Sequence, residues 1–185
     1  MKDNLKHIVQ GCRKGDSKSQ KELYDRYAPL FMSMALRYMK VYEEAEDVMV
    51  MAFYKIFDKI NHFKGEGSFE GWMKRILVNE ALMQIRKKNN LNLTLEIDEA
   101  DAVEDYSVLD EIIYEDLLKM LDELPNGYRT VFNMYVIEGY KHREIAENLG
   151  ISINTSKSQL ILAKKKLKEI YKKKVEGLNS RIGSR

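Results

Sequence analysis

The chain has 185 residues and a formal net charge of only +2, so its overall charge gives little indication of a polyanionic partner. Pro occurs only twice, and Met, Leu, Lys and Glu are plentiful, which favours an all-α fold over sheet. The single cysteine, Cys12, excludes an intramolecular disulfide. Neither a membrane-spanning apolar run nor a signal-peptide core is visible, and we therefore expect a cytoplasmic protein without membrane insertion.

Residue types that carry catalysis or hold metals do not cluster in this sequence. His7, His62 and His142 are far apart, and no cysteine or carboxylate pair has the spacing of metal ligands. No glycine-rich phosphate loop follows a strand pattern. These observations favour a protein that is not an enzyme, with no catalytic residue, no metal and no cofactor.

The first ninety residues show the periodicity of helices. Leu5 to Arg13 is predicted as a short helix that ends at Gly15, where Asp16 and Ser17 begin the next one. Pro29 lies inside the apolar pattern of that second helix and is predicted to kink or restart it.

A central core helix is predicted from Glu43 to Ile60, followed by a loop over 61–68 and a further helix over Phe69 to Lys88. Trp72 lies on the apolar stripe of the last helix, and we predict that it packs in the core. The apolar positions of the central helix recur at spacings of three and four: Ala45, Val48, Met49, Ala52, Phe53, Ile56 and Phe57.

After Lys88 the helical period is lost, and residues 90–107 are predicted to form an acidic flexible linker. A short strand over Leu91 to Ile97 is the alternative, although a lone strand would have no partner. A second lobe begins near Val108, with a helix to Leu124, a break at 125–127 and another helix to Ile137. Residues 176–185 are interpreted as a tail.

The segment from Tyr140 to Leu167 predicts a helix-turn-helix. Ile145, Ala146 and Leu149 share one face of its first helix, Gly150 can take the left-handed conformation that ends it, and Ser152 is placed to cap the second helix. The second helix is predicted to bury a stripe of small and apolar residues: Ile153, Ser156, Leu160, Ala163 and Leu167.

The opposite face of this second helix combines small polar, basic and apolar groups, which suit base edges, phosphates and thymine methyl groups. Its members are Asn154, Thr155, Lys157, Ser158, Gln159, Ile161, Leu162 and Lys165. Cations dominate residues 141–174, whereas acids dominate residues 96–123, so the charge is divided along the chain. We therefore favour DNA binding over an ordinary helical hairpin with a solvated lysine face.

Two groups of residues resemble one known family. The first comprises Ala45-Glu46-Asp47-Val48, Phe53, Ile56-Phe57, Phe63-Lys64-Gly65-Glu66-Gly67-Ser68-Phe69, Trp72, Arg75-Ile76 and Asn79. The second comprises Leu121-Asp122-Glu123-Leu124-Pro125, Arg129, Phe132, Glu138-Gly139-Tyr140, Glu144-Ile145-Ala146, Leu149-Gly150-Ile151-Ser152 and Thr155-Ser156-Lys157-Ser158. In order and register, from about Ser17 to Tyr171, the chain resembles regions 2 and 4 of the bacterial sigma-70 family, in its extracytoplasmic-function (ECF) group.

The resemblance implies a sigma factor, the promoter-specificity subunit of RNA polymerase, with a region 2 domain over 1–89 and a region 4 domain over 108–175. Region 2 would dock on the clamp helices of core polymerase and capture the melted minus-10 strand, and region 4 would read minus-35 duplex and contact the flap. Carried over, docking falls on Asp47, Val50 and Met51, where the family usually has a polar Gln-Glu pair in place of Val50 and Met51. Melted-strand binding falls on the cationic and polar residues Lys64, Lys74, Arg75, Asn79 and Arg86.

Core RNA polymerase and promoter DNA are thus the expected partners, and an anti-sigma factor is left open as a third. The main alternative is a helix-turn-helix regulator that is not a polymerase subunit, although the first ninety residues lack the strand pattern of a receiver domain. A pure interaction protein that sequesters a partner through the apolar Val50 and Met51 is a second alternative. The cations on both predicted DNA faces argue against that second alternative. An RNA-modifying or nuclease enzyme is the remaining alternative, although the acidic segment lacks a metal-binding carboxylate cluster at a fixed helical spacing.

Overall fold

The computed structural model describes residues 2–88 and 114–182, and within those residues every regular element is a helix. The chain divides into two compact units, residues 1–89 and 90–185. The prediction of two small all-α lobes is therefore confirmed. The predicted linker over 90–107, the alternative strand and the predicted helix start near Val108 lie outside the described residues.

The first unit consists of four helices and one 3₁₀ turn. They are α1 (Lys2–Arg13), α2 (Ser17–Tyr38), α3 (Tyr42–Lys59), the turn Ile60–His62 and α4 (Phe69–Lys88). α3 packs against both α2 and α4, so it is the central helix that its apolar pattern predicted. The apolar residues predicted for its inner face are buried, except that Phe57 is half-buried.

The turn between α1 and α2 forms as the sequence predicted. Gly15 has φ +76°, and the Asp16 carboxylate accepts a hydrogen bond from the Ser19 amide at 2.9 Å. The Ser19 hydroxyl donates a second hydrogen bond to the same carboxylate, and this bond, together with the one from the amide, lowers the pKa of Asp16. Asp16 is therefore the N-cap of α2.

Of the two outcomes predicted at Pro29, a kink or a restart, the restart is wrong, because α2 continues through this residue as one helix of 22 residues. Proline removes the hydrogen bond to the carbonyl of Asp25, four residues earlier. Both Pro29 and Asp25 are exposed, so water can solvate that carbonyl.

The predicted core position of Trp72 is also corrected. Trp72 is half-buried, as is Ile76, whereas Met73 and Leu77 are fully buried against α3 and α2. Leu77, Ala81, Leu82 and Ile85 are buried, as the apolar pattern of α4 indicates, so only Trp72 and Ile76 depart from it. The indole lies at the edge of the unit.

An ion pair between α3 and α4 had no sequence signal. The Lys55 ammonium contacts the Glu80 carboxylate, whose side chain is only 4% exposed. A buried carboxylate without a cation is costly, so this pair fixes the register in which the two helices pack.

The second unit is built around the long helix α8. Its elements are α5 (Tyr114–Asp122), α6 (Asn126–Phe132), the π-helical segment Asn133–Ile137, α7 (His142–Leu149) and α8 (Ile153–Ile182). α8 packs against α5, α6 and α7. We predicted a tail from residue 176, and the helix instead continues to Ile182.

Ion pairs between described residues join the helices of this unit. Arg129 is only 2% exposed and lies 2.9 Å from the Asp122 carboxylate, and burial lowers the pKa of this guanidinium. Lys174 on α8 lies 3.7 Å from Asp116 on α5. The acidic α5 is thereby held against the basic α8.

Candidate nucleic-acid interface

The helix-turn-helix forms over α7 and α8 with the predicted turn residues. Glu144 accepts a hydrogen bond from the Lys141 amide at 2.8 Å at the start of α7. Gly150 ends α7 with φ +69°, and the Ser152 hydroxyl accepts a hydrogen bond from the Thr155 amide at 2.9 Å. The short connection is therefore fixed at both helix ends.

The packing between α7 and α8 follows the predicted stripes at all positions but one. Ile145, Ala146 and Leu149 are buried on α7. On α8 the buried members are Ser156, Leu160, Ala163 and Leu167. Ile153 is 44% exposed and does not join this stripe, because it is the first residue of α8 and its side chain projects back beyond the packed surface.

A polar contact that the sequence did not indicate also joins α7 to α8. His142 Nδ1 lies 2.9 Å from the Ser156 hydroxyl, and the imidazole stacks on the Tyr135 ring at 4.3 Å between centroids. Burial lowers the pKa of His142, and the charges of Lys157 and Lys164 lower it further. The neutral imidazole is therefore favoured in the folded unit.

The predicted reading face of α8 is present, with one correction. Asn154, Lys157 and Lys165 are exposed. Thr155, Ser158, Ile161 and Leu162 are half-buried. The surface position predicted for Gln159 is wrong, because its side chain is only 1% exposed.

Gln159 is buried because it lies three residues after Ser156 and four before Ala163, on the stripe that packs inward. Its Oε1 accepts no hydrogen bond within the described residues. Ser158, its neighbour, donates its hydroxyl to the carbonyls of Asn154 and Thr155, at 3.0 and 3.1 Å. The Ser158 oxygen is thus left as an acceptor on the reading face.

In the first unit, three of the residues predicted for melted DNA share one exposed face of α4. Arg75, Asn79 and Arg86 follow each other at spacings of four and seven, which places them along one line of the helix. Lys74 lies on another side and pairs with Glu70 at 2.8 Å. Lys64 is exposed in the loop before α4, where Gly65 and Gly67 have φ +83° and +80°.

An aromatic cluster borders this loop. The rings of Phe63, Phe69 and Trp72 contact one another with centroids 5.2 to 5.5 Å apart. Phe69 is buried, and the other two rings are half-exposed. Partly exposed aromatic faces beside cations are what unstacked bases bind.

The predicted polymerase-docking residues lie together on the outer face of α3. Asp47, Val50 and Met51 are all exposed. Tyr54 belongs to the same face and is 65% exposed, although the sequence interpretation omitted it. Its spacing of seven from Asp47 was the signal that identifies it.

The described residues contain no group of three or more His, Cys, Asp and Glu side chains that could hold a metal ion. Among the same residues, no helix combines the length and the apolar character needed to span a membrane.

Each of the two units matches a model of a known protein family. The family model described as "Sigma-70 region 2" matches residues 23–90, and the one described as "Sigma-70, region 4" matches residues 114–167. The sequence is 28% identical over 169 residues to the ECF RNA polymerase sigma factor SigW of Bacillus subtilis, with 84% of this chain and 90% of that relative covered. The chain therefore belongs to the sigma-70 family of RNA polymerase sigma factors, in the ECF group that its sequence resembled.

A second relative is the ECF RNA polymerase sigma factor SigE of Mycolicibacterium smegmatis, which is 27% identical over 158 residues. This match covers 82% of the present chain but only 61% of that longer relative. Among solved structures, the sigma factor RpoE of Bartonella quintana, crystallised with the anti-sigma factor NepR, is similar with a TM-score of 0.54 at 24% identity. That match covers 82% of this chain and 96% of RpoE, and it supports the fold assignment.

Proposed function

We propose that this protein is the promoter-specificity factor of an RNA polymerase, which binds the core enzyme and directs transcription initiation at promoters with a minus-35 duplex element and a minus-10 melted element. The observation that carries the proposal is the presence of two separate DNA-type surfaces, one in each unit. The reading face of α8 belongs to one unit, and the α4 face with Arg75, Asn79 and Arg86 belongs to the other.

The α8 face suits duplex DNA. A recognition helix enters the major groove with its N-terminal residues toward the base edges, and here these are Asn154, Thr155 and Ser158. Lys157 and Lys165 supply cations for phosphates on either side. Ile161 and Leu162 add apolar surface that thymine methyl groups can contact. We assign minus-35 recognition to this face.

The α4 face and the preceding loop suit single-stranded DNA. Capture of a melted strand needs cations along the backbone and an aromatic or polar pocket for an unstacked base. Arg75, Arg86 and Lys64 provide the cations. The aromatic cluster of Phe63, Phe69 and Trp72 adjoins the loop with Lys64, at the start of α4, whereas Arg86 lies toward the other end of this helix. We assign minus-10 capture to this surface, and Lys74, which pairs with Glu70, is the weakest member of the predicted set.

The outer face of α3 suits a protein partner. It presents Asp47 beside the exposed apolar side chains of Val50, Met51 and Tyr54, and apolar and aromatic residues beside a charge are typical of protein interfaces. We assign docking on the clamp helices of core polymerase to this face, and contact with the flap to the second unit. The apolar pair Val50 and Met51 makes this docking surface less polar than the family pattern.

These roles need no reaction at the protein itself, since sigma factors are specificity factors and not catalysts. We further propose that the protein works in the cytoplasm, where RNA polymerase acts, and that an anti-sigma factor is a partner, as it is for the similar RpoE. On this proposal residues 1–89 form the polymerase and minus-10 domain, 90–107 the linker and 108–175 the minus-35 domain.

The test is transcription in vitro with core polymerase from the source cell, on a genomic fragment library, with and without the protein. New start sites that depend on the protein are expected. A gel-shift assay with the free protein provides the contrast, because melted-strand capture needs the polymerase to hold the bubble open. Nanomolar, sequence-specific duplex binding by the free protein, without new start sites, would instead identify a helix-turn-helix regulator that is not a polymerase subunit.

A further inference from the structure

α1 lies outside the residues that match the region 2 family model, which begins to match at residue 23. The helix is nevertheless firmly packed, because Ile8, Val9 and Cys12 are buried and it contacts both α2 and the 3₁₀ turn. A Cβ atom at Gly11 would lie 2.0 Å from the Ser19 hydroxyl, so only glycine permits this close approach to α2. The position of α1 in the unit is therefore fixed.

The last residue of α1 reaches the loop that precedes α4. Arg13 Nη2 donates a hydrogen bond to the Phe63 carbonyl at 2.5 Å, across fifty residues of sequence. A guanidinium donor makes this a charge-assisted bond, which is stronger than one between neutral groups. It is made where the 3₁₀ turn ends and the exposed loop begins.

The side chain of Phe63 is also held in place, by contacts with two other aromatic rings. Its ring lies 5.2 Å from the Phe69 ring and 5.5 Å from the Trp72 ring, between centroids. Residues 64–68, which follow, are exposed and include the two glycines with positive φ. The direction in which the loop leaves the unit is consequently set at Phe63, by the aromatic cluster on one side and Arg13 on the other.

We propose that Arg13 is a positioning residue for minus-10 recognition: it holds the Phe63 carbonyl and so fixes the loop of residues 64–68 against the melted strand. This inference rests on the proposed function of the loop. A direct phosphate contact by Arg13 is the rival role, and it predicts weaker binding at all promoters without a change in sequence preference.

The first experiment tests, in the free protein, whether the hydrogen bond from Arg13 to the Phe63 carbonyl holds the loop in place. Trp72 is the only tryptophan of the chain and touches Phe63, so its fluorescence reports on the position of the loop. Arg13→Met and Arg13→Gln, which both lack the guanidinium, should increase quenching of Trp72 by acrylamide. Lys14→Met, at the adjacent exposed position, is the matched control and should leave quenching unchanged. Equal quenching in all variants would show that Arg13 does not position the loop, whatever the function of the loop.

The second experiment measures minus-10 preference on a randomised library, transcribed by core polymerase with each variant. Loss of Arg13 should reduce discrimination between minus-10 sequences about three- to tenfold, the range expected for one hydrogen bond, while minus-35 preference stays unchanged. Arg13→Lys, which retains a cationic donor, should recover part of the discrimination. Conclusions are drawn from whichever of Arg13→Met and Arg13→Gln keeps the helical content of the wild type.

The outcomes separate the two claims. If the wild type itself shows no minus-10 preference, the proposed function fails and this inference fails with it. If the wild type shows a preference that both variants keep, the inference alone is overturned. Equal loss at every promoter, with the preference intact, would assign Arg13 to the phosphate backbone and also overturn the positioning role.

Discussion

His142 and Ser156 connect the two helices of the helix-turn-helix through one hydrogen bond of 2.9 Å between Nδ1 and the hydroxyl oxygen. Ser156 is fully buried, and the imidazole is covered on one face by Tyr135. Around this bond the two helices pack through apolar and small side chains, among them Ile145, Leu149 and Leu160, which give little directional constraint. The bond therefore helps to set the angle at which α8 is presented to DNA.

This contact predicts a pH dependence of the second unit. Because the pKa of His142 is lowered on folding, mainly by burial, the unfolded chain binds more protons than the folded one as the pH falls below about 6.5. The stability that neutral His142 contributes is thus complete above that pH and is lost progressively below it. Thermal unfolding measured across this pH range should show that the unfolding midpoint of the wild type falls as the pH falls. The midpoint of His142→Gln should lack this part of the pH dependence.

His62→Gln is the matched control for the pH experiment, since His62 is exposed in the first unit. Its unfolding midpoint should follow the wild type at every pH. A His142→Gln variant with the same pH slope as the wild type would show that other groups cause the dependence.

Gln159 provides a prediction that reverses the expectation from sequence. Its side chain is buried and its Oε1 accepts no hydrogen bond within the described residues, so it cannot reach a base from this position. Replacing it by leucine, which has similar volume, removes the cost of an unpaired buried acceptor. Gln159→Leu should be neutral or stabilising by about 1 kcal/mol, as chemical denaturation measures, and should keep the minus-35 preference of the wild type.

The control for Gln159→Leu is Gln159→Glu, which places a charge in the same buried position and should destabilise the unit strongly. If Gln159→Leu instead changes which minus-35 sequences are used, the side chain must leave the core when DNA binds.

Some structural features of this protein can be predicted from its sequence, and others cannot. Turns with chemical requirements, such as Gly150 with positive φ and Ser152 at the helix cap, follow directly from residue type. The helical period identified the stripes but not their edges, because Gln159 and Trp72 lie where a rotation of one residue decides between core and surface. The Arg13 bond to Phe63 and the pair of Lys55 with Glu80 join residues far apart in the chain, and no local pattern indicates such partners.

The reading face should separate base recognition from phosphate attachment. The Ser158 hydroxyl proton is directed at its own helix, which leaves the oxygen to accept from a base amino group, as adenine N6 or cytosine N4 provides in the major groove. Ser158→Ala should therefore reduce the preference at one minus-35 position by about 1 to 3 kcal/mol. Transcription of a randomised minus-35 library measures it.

Lys165→Ala is the matched comparison on the same helix. Lys165 is exposed and only donates, so its loss should weaken all promoters similarly and reduce the salt dependence by about one unit of slope. Titration of promoter binding at several salt concentrations measures this slope. A Lys165→Ala variant that alters sequence preference, with its salt slope intact, would contradict the assignment.

The outer face of α3 should determine assembly with core polymerase. Asp47→Arg reverses the charge that this face presents, and reversal within a close interfacial pair costs on the order of a few kcal/mol. Tyr54→Ala removes an exposed aromatic side chain of the kind that anchors interfaces, with an expected cost of about 2 kcal/mol.

Tyr42 offers the control, because it is also an exposed tyrosine of α3, at 58%, but its position in the helical period places it on the opposite side from Asp47. Pull-down of core polymerase should weaken with Asp47→Arg and Tyr54→Ala and stay at the wild-type level with Tyr42→Ala. All three positions are exposed, so each variant should retain the fold, which circular dichroism checks. Capture of polymerase at wild-type levels by both Asp47→Arg and Tyr54→Ala would show that the docking surface lies outside this face of α3.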